Sequence, residues 1–94
     1  MIEYKDKAIV IAGGGGFIGG WLAKSFIGTS AKSVRVIDLK PLNEWHQVHN
    51  QFENISVDLM NYESCLENTN GADFVFNLAA DMGGMGFIEK NKAK

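Results

Sequence analysis

Residues 7–19 read Lys7-Ala8-Ile9-Val10-Ile11-Ala12-Gly13-Gly14-Gly15-Gly16-Phe17-Ile18-Gly19, an apolar run that stops on consecutive glycines. The run up to Ala12 does not alternate with polar residues, as expected of a strand buried on both faces of a parallel sheet. Gly13, Gly16 and Gly19 give the spacing Gly-x-x-Gly-x-x-Gly, while Gly14, Gly16 and Gly19 satisfy Gly-x-Gly-x-x-Gly. Spacing alone leaves these two registers open. Either one lets the chain turn sharply after a strand, brings a pyrophosphate against bare backbone and packs the following helix tightly on the sheet. The start of that helix offers N–H groups and a partial positive charge to phosphates.

Downstream of the glycines, Phe17, Ile18, Trp21, Leu22 and Phe26 share a helical face. That face is expected to point inward, with Trp21 in the core and the helix ending at Gly28-Thr29-Ser30. Ser33–Asp38 reads as a second strand, and Pro41 then leaves Leu42–Gln51 as a loop or one short helix, with Trp45 on the surface. Asn54–Asp58 is a third strand, and Tyr62–Asn68 a short helix with Cys65 and Leu66 inward. After a turn at Asn70-Gly71, Asp73–Ala80 forms a fourth strand. Alternating strands and helices mean parallel strands joined by crossovers. The expected architecture is α/β, a Rossmann-type parallel sheet with flanking helices, truncated after about four strands and forming one domain over residues 1–94. In the order 3-2-1-4 the segment Phe74-Val75-Phe76 would fall on an open edge, predicting a marginally stable, association-prone domain.

Asp38 lies 19 residues beyond Gly19, close to the ~20 expected of an acid that receives the ribose hydroxyls of a dinucleotide. A carboxylate there repels a ribose 2′-phosphate, so NAD is favoured over NADP, although Lys40 could partly offset that repulsion. Composition narrows the alternatives. A net charge of −2 over 94 residues, without a basic cluster, argues against a nucleic-acid or anionic-membrane partner. The apolar runs are far shorter than the ~20 residues of a membrane span. The charged start Met1–Lys7 lacks an apolar signal core, and a single cysteine fits a reducing, cytoplasmic setting. His46 and His49 lack further ligands at suitable spacing, so no metal site is expected, and Cys65 reads as a packing residue.

With these residues in view, the chain resembles the extended short-chain dehydrogenase/reductases, the NAD-dependent epimerase/dehydratase family of nucleotide-sugar enzymes. The run Gly-x-x-Gly-Phe-Ile-Gly is similar to that family's fingerprint, with Ala12 standing where threonine or serine is common. Asp58-Leu59 resembles the family's adenine-contacting pair, and Asn77-Leu78-Ala79-Ala80 its motif after the fourth strand. The stretch Asn77–Ile88 resembles a branch acting on GDP-mannose-like nucleotide sugars. The resemblance implies that Gly13, Gly16, Phe17, Ile18 and Gly19 hold the pyrophosphate of NAD and that Asp38 holds the ribose. It further implies that Asp58 and Leu59 flank adenine and that Leu78, Ala79 and Ala80 line the path to the nicotinamide. Met82, Gly83, Gly84 and Met85 would approach the hexose, and the parent enzyme would be a homodimer. The family's Tyr-x-x-x-Lys catalytic pair is missing, since Tyr4 is followed four residues later by Ala8 and Tyr62 by Leu66. No catalytic residue is therefore expected in this chain, and no turnover by it alone. A related epimerase or dehydratase, or a non-catalytic NAD-binding module, are the readings beside this one.

Overall fold

A computed structural model of the chain describes residues 4–79; Ala80, Met82, Gly83, Gly84 and Met85 lie outside the described residues. Ala8–Ala12 forms β1, and its side chains alternate between two buried faces, with Ile9 and Ile11 on one and Val10 and Ala12 on the other. That two-sided burial explains the unbroken apolar run. Ser33–Asp38 forms β2, Glu53–Ser56 forms β3 and Phe74–Asn77 forms β4. The four strands pair in parallel, in the order β3-β2-β1-β4, with Ile11 of β1 level with Val36 of β2 and with Phe76 of β4.

Two helices supply the first and third of the three crossovers, α1 over Phe17–Lys24 and α2 over Tyr62–Thr69, and β2 reaches β3 through an irregular segment with one 3₁₀ turn. Ala23 of α1 and the following Phe26 pack with Ile9, Ile11, Val34 and Val36, whereas Cys65 of α2 packs with Val10, Ala12, Ile37 and Leu59. The helices therefore cover opposite faces of one sheet, as the sequence predicts for a Rossmann-type fold. The chain runs from β1 to β2 and β3 on one side, then returns across β1 to β4. This reversal places a topological switch point between β1 and β4, where open α/β sheets bind ligands at the carboxyl ends of their strands.

The inward face of α1 differs from the one the large apolar residues predict. Phe17, Ile18 and Trp21 are 61%, 70% and 51% exposed, and the buried positions are Gly19, Gly20 and Ala23. The cause is the closeness of the helix to the glycine turn: a methyl group at Gly19 would fall 2.6 Å from the Cα of Gly14. Only hydrogen fits that gap, so the small residues turn inward and the aromatic ones outward. Trp21 lies beneath the Lys24 ammonium, which sits 4.8 Å from its ring centroid. The regular helix also ends at Lys24 rather than near Gly28, with turns completing the path to β2.

Trp45 reverses its expectation as well. It follows a 3₁₀ turn over Leu42–Glu44, yet it is buried, and its indole Nε1–H donates to the Lys40 carbonyl at 2.8 Å. A buried indole needs such a partner for its polar end. Cys65 is fully buried as predicted, with its thiol donating to the Leu59 carbonyl at 3.1 Å. Asn61 caps α2 by accepting from the Ser64 N–H at 3.0 Å.

Candidate functional site

Because the four strands pair in parallel, the carboxyl ends of β1, β2 and β4 open at the same edge of the sheet. The glycine turn and Leu78-Ala79 follow the ends of β1 and β4, and Asp38 is the last residue of β2. The turn is anchored to the sheet by the Gly13 and Gly14 N–H groups, which donate to the Ile37 carbonyl at 2.8 and 3.2 Å. Gly13 takes φ +84°, the left-handed region that suits glycine, and a methyl group there would lie 2.7 Å from the Ala79 nitrogen. The sharp turn thus falls at Gly13, which favours the register Gly13-x-x-Gly16-x-x-Gly19 that spacing left open. Leu78 N–H donates to the Ala12 carbonyl at 2.8 Å, holding the segment after β4 beside this turn.

Helix α1 begins at the turn. Gly16 is its N-cap and supplies no side chain to satisfy the first-turn N–H groups. Those donors have no acceptors within a helix, so the end of α1 presents positive potential at the sheet edge. Gly16 leaves ordinary room around it, since a methyl group there would meet its nearest neighbour, the Gly13 carbonyl, at 3.6 Å. Phe17 and Ile18 project outward from the first turn, with the Phe17 ring edge-on to His46 at 4.9 Å.

Asp38 ends β2 and is a buried charged side chain, 8% exposed. Burying a carboxylate is costly unless it is hydrogen-bonded. Here Oδ2 accepts from the Gly15 N–H at 2.9 Å and Oδ1 accepts from the Lys40 N–H at 3.0 Å. The acid and the glycine turn, 23 residues apart in sequence, are therefore directly joined. Asp58 is exposed after β3, with Oδ1 accepting from the Met60 N–H at 2.9 Å. Leu59 beside it is buried in the core with Cys65, and its carbonyl turns inward to accept from the Cys65 thiol, while Asp58 is exposed.

Sequence reasoning missed the part played by residues 45–49. Trp45 lies over Gly15, the His46 N–H donates to the Gly15 carbonyl at 2.9 Å, and the His49 ring approaches the Gly20 carbonyl at 3.4 Å. This segment straps the glycine turn from the side. It has neither a helical nor a strand period, so no pattern in the sequence marks it.

A parallel sheet with a glycine turn, an uncapped helix start and an acid at the end of the second strand defines a Rossmann-type nucleotide-binding fold. The chain belongs to the 3-beta hydroxysteroid dehydrogenase/isomerase family, whose profile matches residues 10–93. It is 47% identical over 85 residues to GDP-mannose 3,5-epimerase 1 of Oryza sativa subsp. japonica, covering 88% of this chain and 22% of the relative. The chain thus spans about a fifth of that relative's length. Its fold resembles Pen from Bacillus thuringiensis, with a TM-score of 0.71 and 27% identity over 84% of this chain and 27% of the other. It also resembles a short chain dehydrogenase from Leptospira borgpetersenii solved with bound NAD+, with a TM-score of 0.59 and 32% identity over 80% of this chain and 32% of the other. No helix among the described residues is long and apolar enough to cross a membrane.

Proposed function

We propose that this chain is the cofactor-binding portion of an NAD-dependent nucleotide-sugar epimerase acting on a GDP-mannose-like substrate. The observation that carries this reading is the buried Asp38 carboxylate bonded to the glycine turn, at the edge where α1 begins uncapped. A dinucleotide has the complementary chemistry: a dianionic pyrophosphate for the helix start and a ribose diol for the carboxylate. Gly13 and Gly19 lie against the chain's own backbone, where any side chain would force it apart, and this holds the sharp turn and the start of α1 close to the sheet, as the fingerprint requires.

In this reading Gly13, Gly16, Phe17, Ile18 and Gly19 surround the pyrophosphate, and Asp38 accepts from the ribose hydroxyls. Asp58 and Leu59 border the adenine, while Leu78, Ala79 and Ala80 lead toward the nicotinamide. Met82, Gly83, Gly84 and Met85, outside the described residues, would meet the hexose. The bound cofactor supplies a reversible hydride acceptor, and the chain's part is to bind and orient it. Asp38 favours NAD over NADP because a buried anion repels a 2′-phosphate. The proton-transfer residues fall outside these 94 residues, so the chain alone is expected to show no turnover. The 47% identity to the rice enzyme supports the choice of nucleotide sugar.

The test is a titration of NAD and NADP into the isotopically labelled chain, followed by amide resonances. Shifts should concentrate at Gly13–Gly19 and Asp38–Lys40, NAD should bind more tightly than NADP, and Asp38→Asn should weaken NAD binding by roughly tenfold, the scale of one lost charged hydrogen bond. Unmoved resonances with both dinucleotides would overturn the reading. For the substrate, the whole protein supplied with NAD should exchange solvent deuterium into GDP-mannose. Exchange with a different nucleotide sugar instead would reassign it.

A further inference from the structure

Four hydrogen bonds close a ring around the Asp38 carboxylate. The Gly15 N–H donates to Oδ2 at 2.9 Å, and the Lys40 N–H donates to Oδ1 at 3.0 Å. The Trp45 Nε1–H donates to the Lys40 carbonyl at 2.8 Å, and the neighbouring His46 N–H returns to the Gly15 carbonyl at 2.9 Å. The indole also packs against Gly15. A side chain starting there would lie 2.8 Å from Trp45 Cδ1 and 3.0 Å from Asp38 Cγ, so ring and carboxylate converge on one point. Trp45 is 7% exposed although it sits in an irregular segment.

A carboxylate has about four lone-pair positions, and the ring occupies two of them. Positions remain for hydroxyl donors, and exclusion of water by the indole strengthens each bond they make. Because Lys40 is held by the Trp45 indole N–H, and Gly15 by the His46 N–H and the packed indole, the carboxylate cannot easily swing aside for a bulkier, charged group.

We propose that Trp45 is a positioning residue that aims Asp38 at an unsubstituted ribose diol and so sets the preference for NAD over NADP. The inference rests on the reading of this edge as a dinucleotide site. It assigns part of the selectivity to a residue that need not touch the cofactor.

Trp45→Phe keeps an aromatic ring but removes the donor to Lys40. His46→Pro opens the ring elsewhere by removing the donor to Gly15, and Trp45, at φ −71° and ψ 146°, already has a backbone conformation suited to precede proline. Either variant should speed hydrogen exchange at the Gly15 amide while Val10 and Ile37, deep in β1 and β2, keep their protection. NAD affinity should fall roughly three- to tenfold, the scale of one net hydrogen bond. NADP affinity should fall less, so the ratio narrows. A purely structural role would lower both affinities by the same factor, and that result, or an unchanged Gly15 amide, overturns the proposal. If the unaltered chain binds neither dinucleotide, the cofactor reading fails along with the selectivity, while Gly15 exchange still reports whether Trp45 holds the ring.

Discussion

At the scale of single residues, the glycines of the turn divide by what surrounds them. Gly19 faces the backbone of Gly13 and Gly14 at distances no Cβ tolerates, whereas Gly16 would bring a methyl group only into ordinary contact. Gly19→Ala should therefore cost about 1–3 kcal/mol, since rigid backbone must move to admit it. Gly16→Ala should cost less than Gly19→Ala, because its loss is confined to a poorer N-cap. Urea denaturation of the two variants checks the order, and an equal loss would show that the tight packing of α1 is not what requires glycine at position 19. The glycine spacing was legible in the sequence, as was the acid at Asp38. What was not legible is the hydrogen bond between Asp38 and Gly15, because it depends on how far β2 extends beyond β1.

At the scale of elements, the strands were read closely and the orientation of α1 was not. β2 matches its expected span of Ser33–Asp38, since an apolar run bounded by turn residues has few other places to go. In α1 the periodicity of large apolar residues pointed Phe17, Ile18 and Trp21 inward, but the buried positions are Gly19 against the glycine turn, Gly20 against Gln47 and Ala23 against the sheet. Size overrode hydrophobicity there. In α2 the inward Cys65 was readable, and the structure adds the cap: Asn61 accepts from the Ser64 N–H. Asn61→Ala should lower stability by ~1 kcal/mol, visible as a lower denaturation midpoint with an unchanged slope. No change in midpoint would mean that water satisfies that helix start equally well.

At the scale of the whole molecule, one sheet serves two cores. Ile11 belongs to the cluster under α1 and Ile37 to the cluster under α2, and both are fully buried. Because β1 and β2 carry residues of both clusters, the two faces should unfold together. Ile11→Ala and Ile37→Ala should each cost ~2–5 kcal/mol, a large share of the total for a domain of this size. Circular dichroism and tryptophan fluorescence should follow one transition in both variants, whereas separate midpoints for the two probes would show that the faces are independent.

The sequence by itself determined the parallel α/β class, the places of the four strands (though the ends of β2 alone among β2, β3 and β4), the glycine turn and the acid that answers it. These features depend on local conformation and on apolar periodicity, which neighbouring residues carry. The inward face of α1, the burial of Trp45 and the ring that joins Asp38 to Gly15 were decided only in three dimensions. Each depends on how closely segments distant in the chain approach one another. The space left between packed backbones sets that distance, and no residue pattern records it.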